Sequence, residues 1–193
     1  MRTDPRVMRS RTAILDACAD LISEEGFAGV TIEAVSARSG AAKTTIYRHW
    51  PSRAALLVEA FGICSGPPSE DPDTGSVRDD LRTVLGGLAA KLGDPDWAAA
   101  MGSLLDAAAR DPELERLHAA TITQRRRPLT DALARGVERG ELPADLDVED
   151  ASALLAGPFF YRALVCREAV TPEFVDVVVD AALPALRARA EGR

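Results

Sequence analysis

The chain has 193 residues, of which 47% are hydrophobic and only 5% aromatic, and its formal net charge is −7. This composition is typical of a globular protein with an apolar core, and the abundance of alanine and leucine favours helices. No uncharged run approaches the roughly 18 apolar residues of a membrane span, and the N-terminal segment lacks the apolar core of a signal peptide, so we expect a cytoplasmic protein with no membrane partner.

The acidic excess lies in the C-terminal two thirds of the chain. Residues 1–63 contain eight Lys or Arg and seven Asp or Glu, whereas residues 64–193 contain 15 and 23. Because phosphate binding depends on local charge, the negative total does not exclude a nucleic-acid-binding surface in the N-terminal part.

The sequence carries no signature of an enzyme or of a metal site. Its three cysteines, Cys18, Cys64 and Cys166, are scattered, without a CxxC pair or a Cys/His cluster. We therefore expect small core residues rather than a disulfide, zinc ligands or thiol sensors. His118 has no companion ligand at helical spacing, and no Ser/His/Asp set, phosphate-binding glycine loop or carboxylate pair stands out. An all-α enzyme is therefore an alternative for which the sequence offers no catalytic residues. No cofactor is predicted.

The first predicted helix follows a basic segment. Arg2, Arg6, Arg9 and Arg11 precede it, and they form either a solvated, frayed terminus or an arm that reaches phosphates or the minor groove. In the helix itself the apolar residues recur every third or fourth position, which predicts one buried stripe. Gly26 ends the helix, because glycine adopts a positive φ without strain. The stripe comprises Ile14, Ala17, Cys18, Leu21 and Ile22.

Two short helices around a glycine turn come next. Thr31 is a suitable N-cap for a helix from 32 to 39, and Gly40 permits a tight reversal into a second helix from 42 to 49. This arrangement predicts a helix-turn-helix at residues 32–51 that binds double-stranded DNA. The alternative is a helical hairpin whose outer face is merely solvated. The outward polar residues are Lys43, Thr44, Thr45 and Arg48, flanked by Tyr47 and His49.

Cap and breaker residues divide the remaining chain into helices. Ser52 begins a helix that reaches Cys64, and residues 65–76 form a linker rich in proline, glycine and acidic residues. Beyond the linker no segment alternates at the period of a strand, apart from an ambiguous run at 174–179 that follows a helix-start signal, so the predicted fold class is all-α. The five helical segments after the linker span 77 to about 92, 95 to about 110, 112 to about 139, 148 to about 167 and 172 to about 190.

This division predicts two domains. An N-terminal domain at 1–64 contains the helix-turn-helix, the linker occupies 65–76, and a larger helical domain spans 77–193. Three prolines fall inside predicted helices of the larger domain, where each should kink or break the helix. They are Pro128, Pro158 and Pro184.

The residues of the N-terminal domain resemble a known family. Residues 31–57 contain T-I-x-x-V-x-x-x-x-G and then K-T-T-I-Y-R-H-W-P-S-R-x-x-L-L, preceded by an apolar helix and Gly26-Phe27. This pattern, over about residues 9 to 64, resembles the DNA-binding domain of TetR/AcrR-family transcriptional regulators. The resemblance implies an all-helical homodimer, usually a repressor, that releases DNA when a small molecule enters the C-terminal domain. A two-fold pair of recognition helices would bind a palindromic operator.

The resemblance also assigns the DNA contacts by position. Ala42 stands where a capping, phosphate-binding serine is common, and Arg48 stands where tyrosine is frequent, so the operator sequence is not predicted. Lys43, Thr44 and Thr45 become the recognition-helix residues. The phosphate contacts would be Thr31, Tyr47, His49 and Arg53.

The last two predicted helices suggest a dimer. Residues 157–165 and 171–183 resemble the final helices of one branch of the family, which form a four-helix bundle between two subunits. Their apolar stripes are wider than one neighbouring helix needs to cover, which favours a dimer seam, with ordinary core packing as the alternative. The seam residues would be Leu154, Leu155, Tyr161, Leu164, Val165, Phe174, Val177, Val178 and Ala181.

The resemblance places an effector cavity among the C-terminal helices. Its candidate residues are mostly apolar, so we expect a largely apolar small molecule of unpredicted identity. The run Arg125-Arg126-Arg127 is either an anion site or a solvated helix face whose guanidinium groups pair with nearby acids. A helical module that binds a ligand or a protein partner but no DNA remains an alternative. The candidate effector residues are Phe61, Trp97, Met101, Leu104, Leu105, His118, Ile122, Phe159 and Phe160.

Overall fold

The structure is a computed structural model that describes residues 5–66 and 71–188. These residues form nine α-helices and one π-helical turn, without a strand, which confirms the predicted fold class. No helix in this part of the chain is long and apolar enough to cross a membrane. The helices are α1 (Pro5–Gly29), α2 (Ile32–Ser39), α3 (Lys43–His49), α4 (Arg53–Cys64), α5 (Val77–Leu92), α6 (Pro95–Ala108), α7 (Pro112–Glu138), α8 (Val148–Phe160) and α9 (Pro172–Ala188), and the π-helical turn (Tyr161–Cys166) directly follows α8.

Helix α1 begins earlier than the sequence predicts. Arg9 and Arg11 lie within its regular turns, so they do not belong to an extended arm. Arg2 and the side chain of Arg6 lie outside the described part. The predicted apolar stripe is buried, and Gly26 interrupts the helix with φ 69° and ψ 173°. The interruption turns the last residues of the helix away from its first part.

Side-chain caps explain where several helices begin. Thr31 accepts a hydrogen bond of 3.1 Å from the third amide of the helix that follows, and Ser52 does the same at 3.1 Å. Ser76 caps α5 in the same way, and Asp147 accepts from the amides of Glu149 and Asp150, the second and third residues of α8. Because these caps are local signals, the observed bounds of α2 and α5 match the predicted ones.

The internal prolines do not break their helices. Helix α7 continues through Pro128 and α9 continues through Pro184, so of the predicted kink or break a break is excluded there. The turns on either side of a proline keep their own hydrogen bonds, and only the bond that its missing N–H would make is lost. Helix α8 differs: two residues after Pro158 it gives way to the π-helical turn, which ends at Arg167 with φ 56°. The predicted single helix to residue 167 is therefore an α-helix followed by a wider turn.

The described residues form two compact units. Unit 1 comprises residues 5–66 and 99–121, so parts of α6 and α7 cluster with the four N-terminal helices rather than with the rest of the C-terminal chain. Its core includes an edge-to-face pair between Phe27 and Phe61, whose ring centroids are 5.6 Å apart. The largest fully buried side chains of this unit are Ile14, Phe27, Ile46, Leu56, Leu57, Leu104 and Leu114.

Unit 2 comprises residues 71–98 and 122–188. In it α5 packs against α8 and α9. Arg78 of α5 donates two hydrogen bonds, of 2.9 and 3.0 Å, to the carboxylate of Asp180 in α9. This fork geometry fixes the rotation of one helix against the other. The largest fully buried side chains of the unit are Leu81, Leu85, Leu133, Leu155 and Phe159.

The second half of the predicted linker is packed onto unit 2. Arg135 of α7 donates to Asp71 at 2.9 Å and also to the carbonyl of Pro72. Both the amide and the hydroxyl of Thr74 donate to Asp80, at 2.8 and 2.7 Å. Residues 71–76 therefore act as an ordered lead into α5.

The cysteines differ in their surroundings. Cys18 is buried in α1, as expected of a small core residue. Cys166 is exposed at the end of the π-helical turn, so the expectation of a core position is wrong for this thiol. The side chain of Cys64 lies outside the described part. Cys166 lies in the π-helical turn, next to Arg167, the residue with positive φ that ends the turn.

Candidate nucleic-acid interface

Serine side chains hold the turn between α2 and α3. The hydroxyl of Ser36 donates to the carbonyl of Ala41 at 2.7 Å. The hydroxyl of Ser39 donates to the carbonyl of Val35 at 2.7 Å and accepts from the amide of Ala41 at 3.2 Å. Val35 and Ile46 are fully buried and anchor one side of each helix. The two helices are therefore tied together both at their turn and through the core.

Ile46 is the buried residue of α3, and its other six residues are exposed or half-buried. Tyr47 exposes 52% of its surface, which leaves its hydroxyl accessible to an external partner. A short helix with one buried and one polar side fits the major groove of DNA. We name the exposed and half-buried residues of α3 the recognition face. Its exposed members are Lys43, Thr44, Tyr47 and Arg48, and its half-buried members are Thr45 and His49.

Thr31 and Ala42 stand at the starts of the two helices. The hydroxyl oxygen of Thr31 accepts from the amide of Ala34, and the same hydroxyl keeps a proton that it can donate to another acceptor. Ala42 has an extended backbone and makes no side-chain cap, as the absence of the usual serine predicts. The recognition helix therefore begins without the cap that its partner helix has.

An acidic residue borders the recognition face. Lys43 forms an ion pair with Glu33 in the first turn of α2. The hydrogen bond from Lys43 lowers the pKa of the Glu33 carboxyl, so this group is charged at neutral pH. A DNA phosphate would compete with it for the ammonium group. From the sequence alone, Glu33 is an acidic residue in the first turn of a helix. Its ion pair with Lys43 of α3 depends on the geometry of the turn between the two helices.

Arg53 is engaged inside unit 1. Its Nε donates to the carbonyl of Val30 at 2.5 Å, and one terminal nitrogen donates to the carbonyl of Phe27. Its other terminal nitrogen lies 3.9 Å from the carboxylate of Asp111. The resemblance predicts a phosphate contact for Arg53, and in the structure its guanidinium already donates to carbonyls in the last turn of α1 and at Val30. The carbonyls and Asp111 are distant in sequence, so no local signal could have identified them.

Arg11 is likewise engaged within unit 1. Its guanidinium pairs with Glu59 of α4 and lies 5.4 Å from the centroid of the Trp50 ring. The guanidinium of Arg11, for which a DNA-binding arm is one of the two predicted roles, thus has partners inside unit 1.

The predicted dimer residues separate into two groups in unit 2. Leu154, Tyr161, Val165 and Val177 each expose between 55% and 68% of their surface, and Ala181 is also exposed. We name these five residues the apolar face. The other predicted residues are Leu155 and Val178, which are buried, and Leu164 and Phe174, which are half-buried.

The candidate effector residues occur in both units. Most are buried, but Leu105 exposes 45% of its surface. Burial lowers the pKa of His118, so its imidazole is neutral at pH 7 and can accept a hydrogen bond. In unit 1 the candidates are Phe61, Met101, Leu104, Leu105 and His118, and in unit 2 they are Trp97, Ile122, Phe159 and Phe160.

Two family models match the sequence. Residues 14–60 match the model described as bacterial regulatory proteins of the tetR family. Residues 71–182 match the model described as a tetracyclin repressor-like C-terminal domain, and this second match alone covers more than half of the chain.

Relatives with known names and structures agree with this assignment. The uncharacterized HTH-type transcriptional regulator YdeS of Bacillus subtilis is 33% identical over 182 residues, covering 93% of this chain and 91% of its own. The DNA-binding transcriptional repressor TetR of Mycobacteroides abscessus is 30% identical over 148 residues, covering 70% and 72%. The crystal structure of TetR family transcription regulator SCO0332 has a TM-score of 0.72 and 31% identity, covering 91% and 97%. The chain therefore belongs to the TetR family, and it is a DNA-binding transcriptional regulator rather than an enzyme.

Proposed function

We propose that this regulator is a homodimeric, ligand-responsive repressor that binds a palindromic operator in the cytoplasm. The observation that carries the proposal is the recognition face, a polar surface on a short helix whose opposite side is anchored by Ile46, which is 0% exposed. A helix held in this way can enter the major groove without rearranging its own core.

In this proposal some residues at the recognition face contact DNA bases and others contact phosphates. Lys43, Thr44 and Thr45, at the start of α3, contact base edges. Thr31, Tyr47 and His49 donate to phosphates and fix the register. Thr31 is suited to this role because its hydroxyl accepts from its own helix and still has a proton to donate. Ala42 packs its methyl group at the groove and supplies no hydrogen bond, and Arg48 adds a cation at the other end of the face.

The apolar face supports a homodimer. Four large apolar side chains, each more than half exposed, lie on α8, the π-helical turn and α9 of unit 2. A groove of about 380 Å³ on these helices is lined by Leu154, Ala151 and Leu186, among others. A second copy of the same helices would cover this surface symmetrically, since a two-fold interface uses the same patch on both subunits.

Substitution of the apolar face tests the dimer. We expect Val177→Glu and Val165→Glu to convert the dimer to a monomer in sedimentation equilibrium, because each change introduces two buried carboxylates across a two-fold interface. Met8→Glu is the matched control, since Met8 is also about half exposed at 49% but lies on α1. A wild-type protein that sediments as a monomer at all concentrations would exclude the proposal.

Selection of binding sites from random duplex DNA tests the operator. A homodimer should select two inverted half-sites whose centres are about 34–36 Å apart, or a multiple of that distance. A single asymmetric half-site would contradict the palindromic operator. Strong salt dependence is expected, because the contacts to phosphate release counterions.

The effector is proposed to be a largely apolar small molecule. Within unit 1 the buried candidates Phe61, Met101 and Leu104 support an apolar environment, and neutral His118 offers one acceptor. A compound library screened by thermal shift would identify binders, and each binder is then titrated into the operator complex. Coupling of this kind is typically about 1–3 kcal/mol, which is a weakening of DNA binding by about 5- to 150-fold. Operator affinity that no binder changes would exclude ligand response.

A further inference from the structure

A carboxylate of α2 lies at the start of the recognition helix. Glu33 accepts a hydrogen bond from the ammonium group of Lys43, the first residue of α3. The two residues are ten positions apart, and the turn at Gly40 brings them together. Helix α3 has no acidic residue of its own. The carboxylate beside the recognition face is therefore supplied by α2.

Both members of this ion pair can make further hydrogen bonds. The side chain of Glu33 is 67% exposed and that of Lys43 is 51% exposed. An ammonium group that donates to one carboxylate has further protons to donate, and a carboxylate that accepts one hydrogen bond has further lone pairs. The pair thus presents a donor and an acceptor side by side to an external partner.

The position of Lys43 determines where the carboxylate lies on DNA. If Lys43 contacts base edges, as proposed, then its hydrogen-bonded partner Glu33 lies beside the same bases. A carboxylate only accepts hydrogen bonds, so acceptor atoms of the bases repel it. In the major groove the base edges offer donors through the amino groups of cytosine and adenine. Glu33 therefore requires a base pair that presents an amino group at this point.

Lys43 adds the opposite requirement. An ammonium group only donates, and its most favourable acceptors in the major groove are O6 and N7 of guanine. A G·C pair presents these two acceptors next to each other, followed by the N4 amino group of cytosine. In an A·T pair the amino group of adenine separates the two acceptors, N7 of adenine and O4 of thymine. The Glu33–Lys43 pair is therefore complementary to G·C.

We propose that Glu33 and Lys43 together recognise one G·C base pair in each half-site. Lys43 donates to guanine, and Glu33 accepts from the N4 amino group of the paired cytosine. Glu33 is thus a specificity-determining residue, although it lies outside the recognition helix. The inference rests on the proposed operator binding and names one base pair of that operator. Part of this specificity is repulsive, because the carboxylate opposes binding wherever the amino group is missing.

Selection from random duplex DNA by the full-length protein locates the base pair. The wild type should select G·C at one position of each half-site. Glu33→Ala should select the same operator with that position relaxed, so that its preference for G·C over A·T falls by about fivefold or more in competition binding. Alanine is used because glutamine would keep an acceptor oxygen. Preferences at the other positions should stay as in the wild type.

A modified cytosine tests the contact with Glu33. In N4-methylcytosine the methyl group replaces the proton that faces the major groove, and the base still pairs with guanine. At the selected position it should weaken binding of the wild type by about fivefold or more and leave binding of Glu33→Ala unchanged. Fluorescence anisotropy with labelled operators measures both.

A modified guanine tests the contact with Lys43. The base 7-deazaguanine lacks the N7 acceptor. At the selected position it should weaken binding of the wild type and of Glu33→Ala, whereas Lys43→Ala should bind the modified and unmodified operators equally. The same anisotropy titrations provide the comparison.

Glu24→Ala is the matched control. Glu24 of α1 pairs with Arg38 of α2 at 2.7 Å, so this variant also removes an exposed carboxylate that is paired with a cation of the helix-turn-helix. It changes the net charge by the same amount as Glu33→Ala. It should keep the preference for G·C and the effect of N4-methylcytosine as in the wild type.

The outcomes separate the two proposals. A selected operator in which no G·C position depends on Glu33 overturns the recognition of G·C and leaves the proposed function standing. An equal effect of N4-methylcytosine on the wild type and Glu33→Ala does the same, as does an equal relaxation by Glu24→Ala. A protein that selects no operator and binds DNA without salt dependence overturns both.

Discussion

The indole nitrogen of Trp50 donates a hydrogen bond of 2.8 Å to the carboxylate of Glu59. Trp50 directly follows α3 and is only 2% exposed, whereas Glu59 lies in α4 and also pairs with Arg11 of α1. Three helices therefore meet at one carboxylate. This cluster fixes the residue at which the recognition helix ends, because the buried indole cannot shift without losing its hydrogen bond.

Two substitutions of Glu59 should separate its two interactions. Glu59→Gln keeps an acceptor for the indole and loses the ion pair, so the free energy of unfolding should fall by less than about 1 kcal/mol. Glu59→Ala leaves the buried indole N–H without a partner, which should cost about 1–3 kcal/mol. Urea unfolding followed by tryptophan fluorescence measures both. Equal losses in the two variants would show that the ion pair dominates.

Arg53→Ala should affect stability rather than phosphate binding. The variant loses a charged donor to two backbone carbonyls, so the unfolding free energy should fall by about 1–3 kcal/mol. The slope of the logarithm of DNA affinity against that of salt concentration should stay unchanged, because the guanidinium is engaged internally. DNA binding across a salt series, together with urea unfolding, provides the test.

Arg48→Ala serves as the comparison for Arg53. Arg48 is exposed on the recognition face, so its removal should leave stability within about 0.5 kcal/mol and reduce the salt slope by about one. If Arg53→Ala instead reduced the slope by one and left stability intact, Arg53 would be the phosphate contact that the family resemblance implies.

Glu33→Gln should tighten operator binding. The change removes the charge that pairs with Lys43 and a carboxylate beside the DNA phosphates, so we expect a gain of about two- to fivefold at low salt. Because the pKa of Glu33 is lowered by Lys43, the carboxyl is ionised throughout pH 6–8, and the gain should be constant in that range. Fluorescence anisotropy with a labelled operator measures it.

The control for Glu33 is Glu113→Gln, which alters the net charge equally at an exposed position of α7. It should change the affinity by much less. In a Lys43→Ala background the gain from Glu33→Gln should shrink, since the ion pair is then already absent. An undiminished gain there would mean that Glu33 acts on the phosphates alone.

Asp80 should make stability depend on pH in the acidic range. Burial raises the pKa of its carboxyl, but two hydrogen bonds from Thr74 and the nearby Arg139 outweigh burial, so the pKa lies below its ordinary value. A depressed pKa contributes stability above the unfolded-state value of about 3.9, and this contribution is lost as the pH falls through the lower folded-state value. Wild-type stability should therefore decrease below about pH 4.

Asp80→Asn reveals this contribution. At pH 7 the variant should be less stable by about 1–3 kcal/mol, because the buried site loses a charged acceptor. The difference from the wild type should narrow as the pH falls from about 4 to 2. Asp79→Asn, one residue earlier and exposed, should show a much smaller difference at pH 7. If the difference in unfolding free energy between the wild type and Asp80→Asn stayed constant from pH 7 to pH 2, the charged carboxylate would be ruled out as its source.

Sequence predicted best where the physical cause is local. The bounds of α2 follow from Thr31 and Gly40, which are a side-chain cap and a left-handed turn within nine residues of each other. The polar surface of α3 follows from the position of Ile46 in a seven-residue helix. These features need no knowledge of the rest of the chain, because each depends on neighbours within one or two turns.

Sequence does not identify an acceptor that is distant along the chain. Arg11 and Arg53 have the positions of DNA contacts, but their acceptors lie between 23 and 48 residues away. In the run at 125–127, Arg126 pairs with Glu149 at 2.6 Å and Arg127 pairs with Asp131, four residues later, at 3.3 Å. These pairs favour the solvated helix face with acidic partners over an anion site. A long cationic side chain takes whichever acceptor the fold provides, and only tertiary structure determines that acceptor.

The π-helical turn illustrates a different limit. The apolar spacing from Val148 onward predicts one helix to residue 167, yet the α-helical period ends at Phe160. A π-helical turn has more residues per turn than an α-helix. It is built from the same types of residue, so amino-acid composition does not reveal it. Pro158 is the residue in the sequence that indicates an irregularity here. The α-helix ends two residues later, at Phe160, and continues as a π-helical turn rather than breaking.

The bend at Gly26 constrains the order in which this protein can change during evolution. The space that a side chain at position 26 would occupy is already filled by the hydroxyl group of Ser103, a residue 77 positions later in the chain. Any replacement of Gly26 must overcome both that collision and the positive φ, whereas Ser103 can lose its hydroxyl first at the cost of one hydrogen bond. Viable lineages should therefore replace Ser103 before Gly26, and chains that carry a larger residue at position 26 should carry a smaller one, alanine or glycine, at position 103.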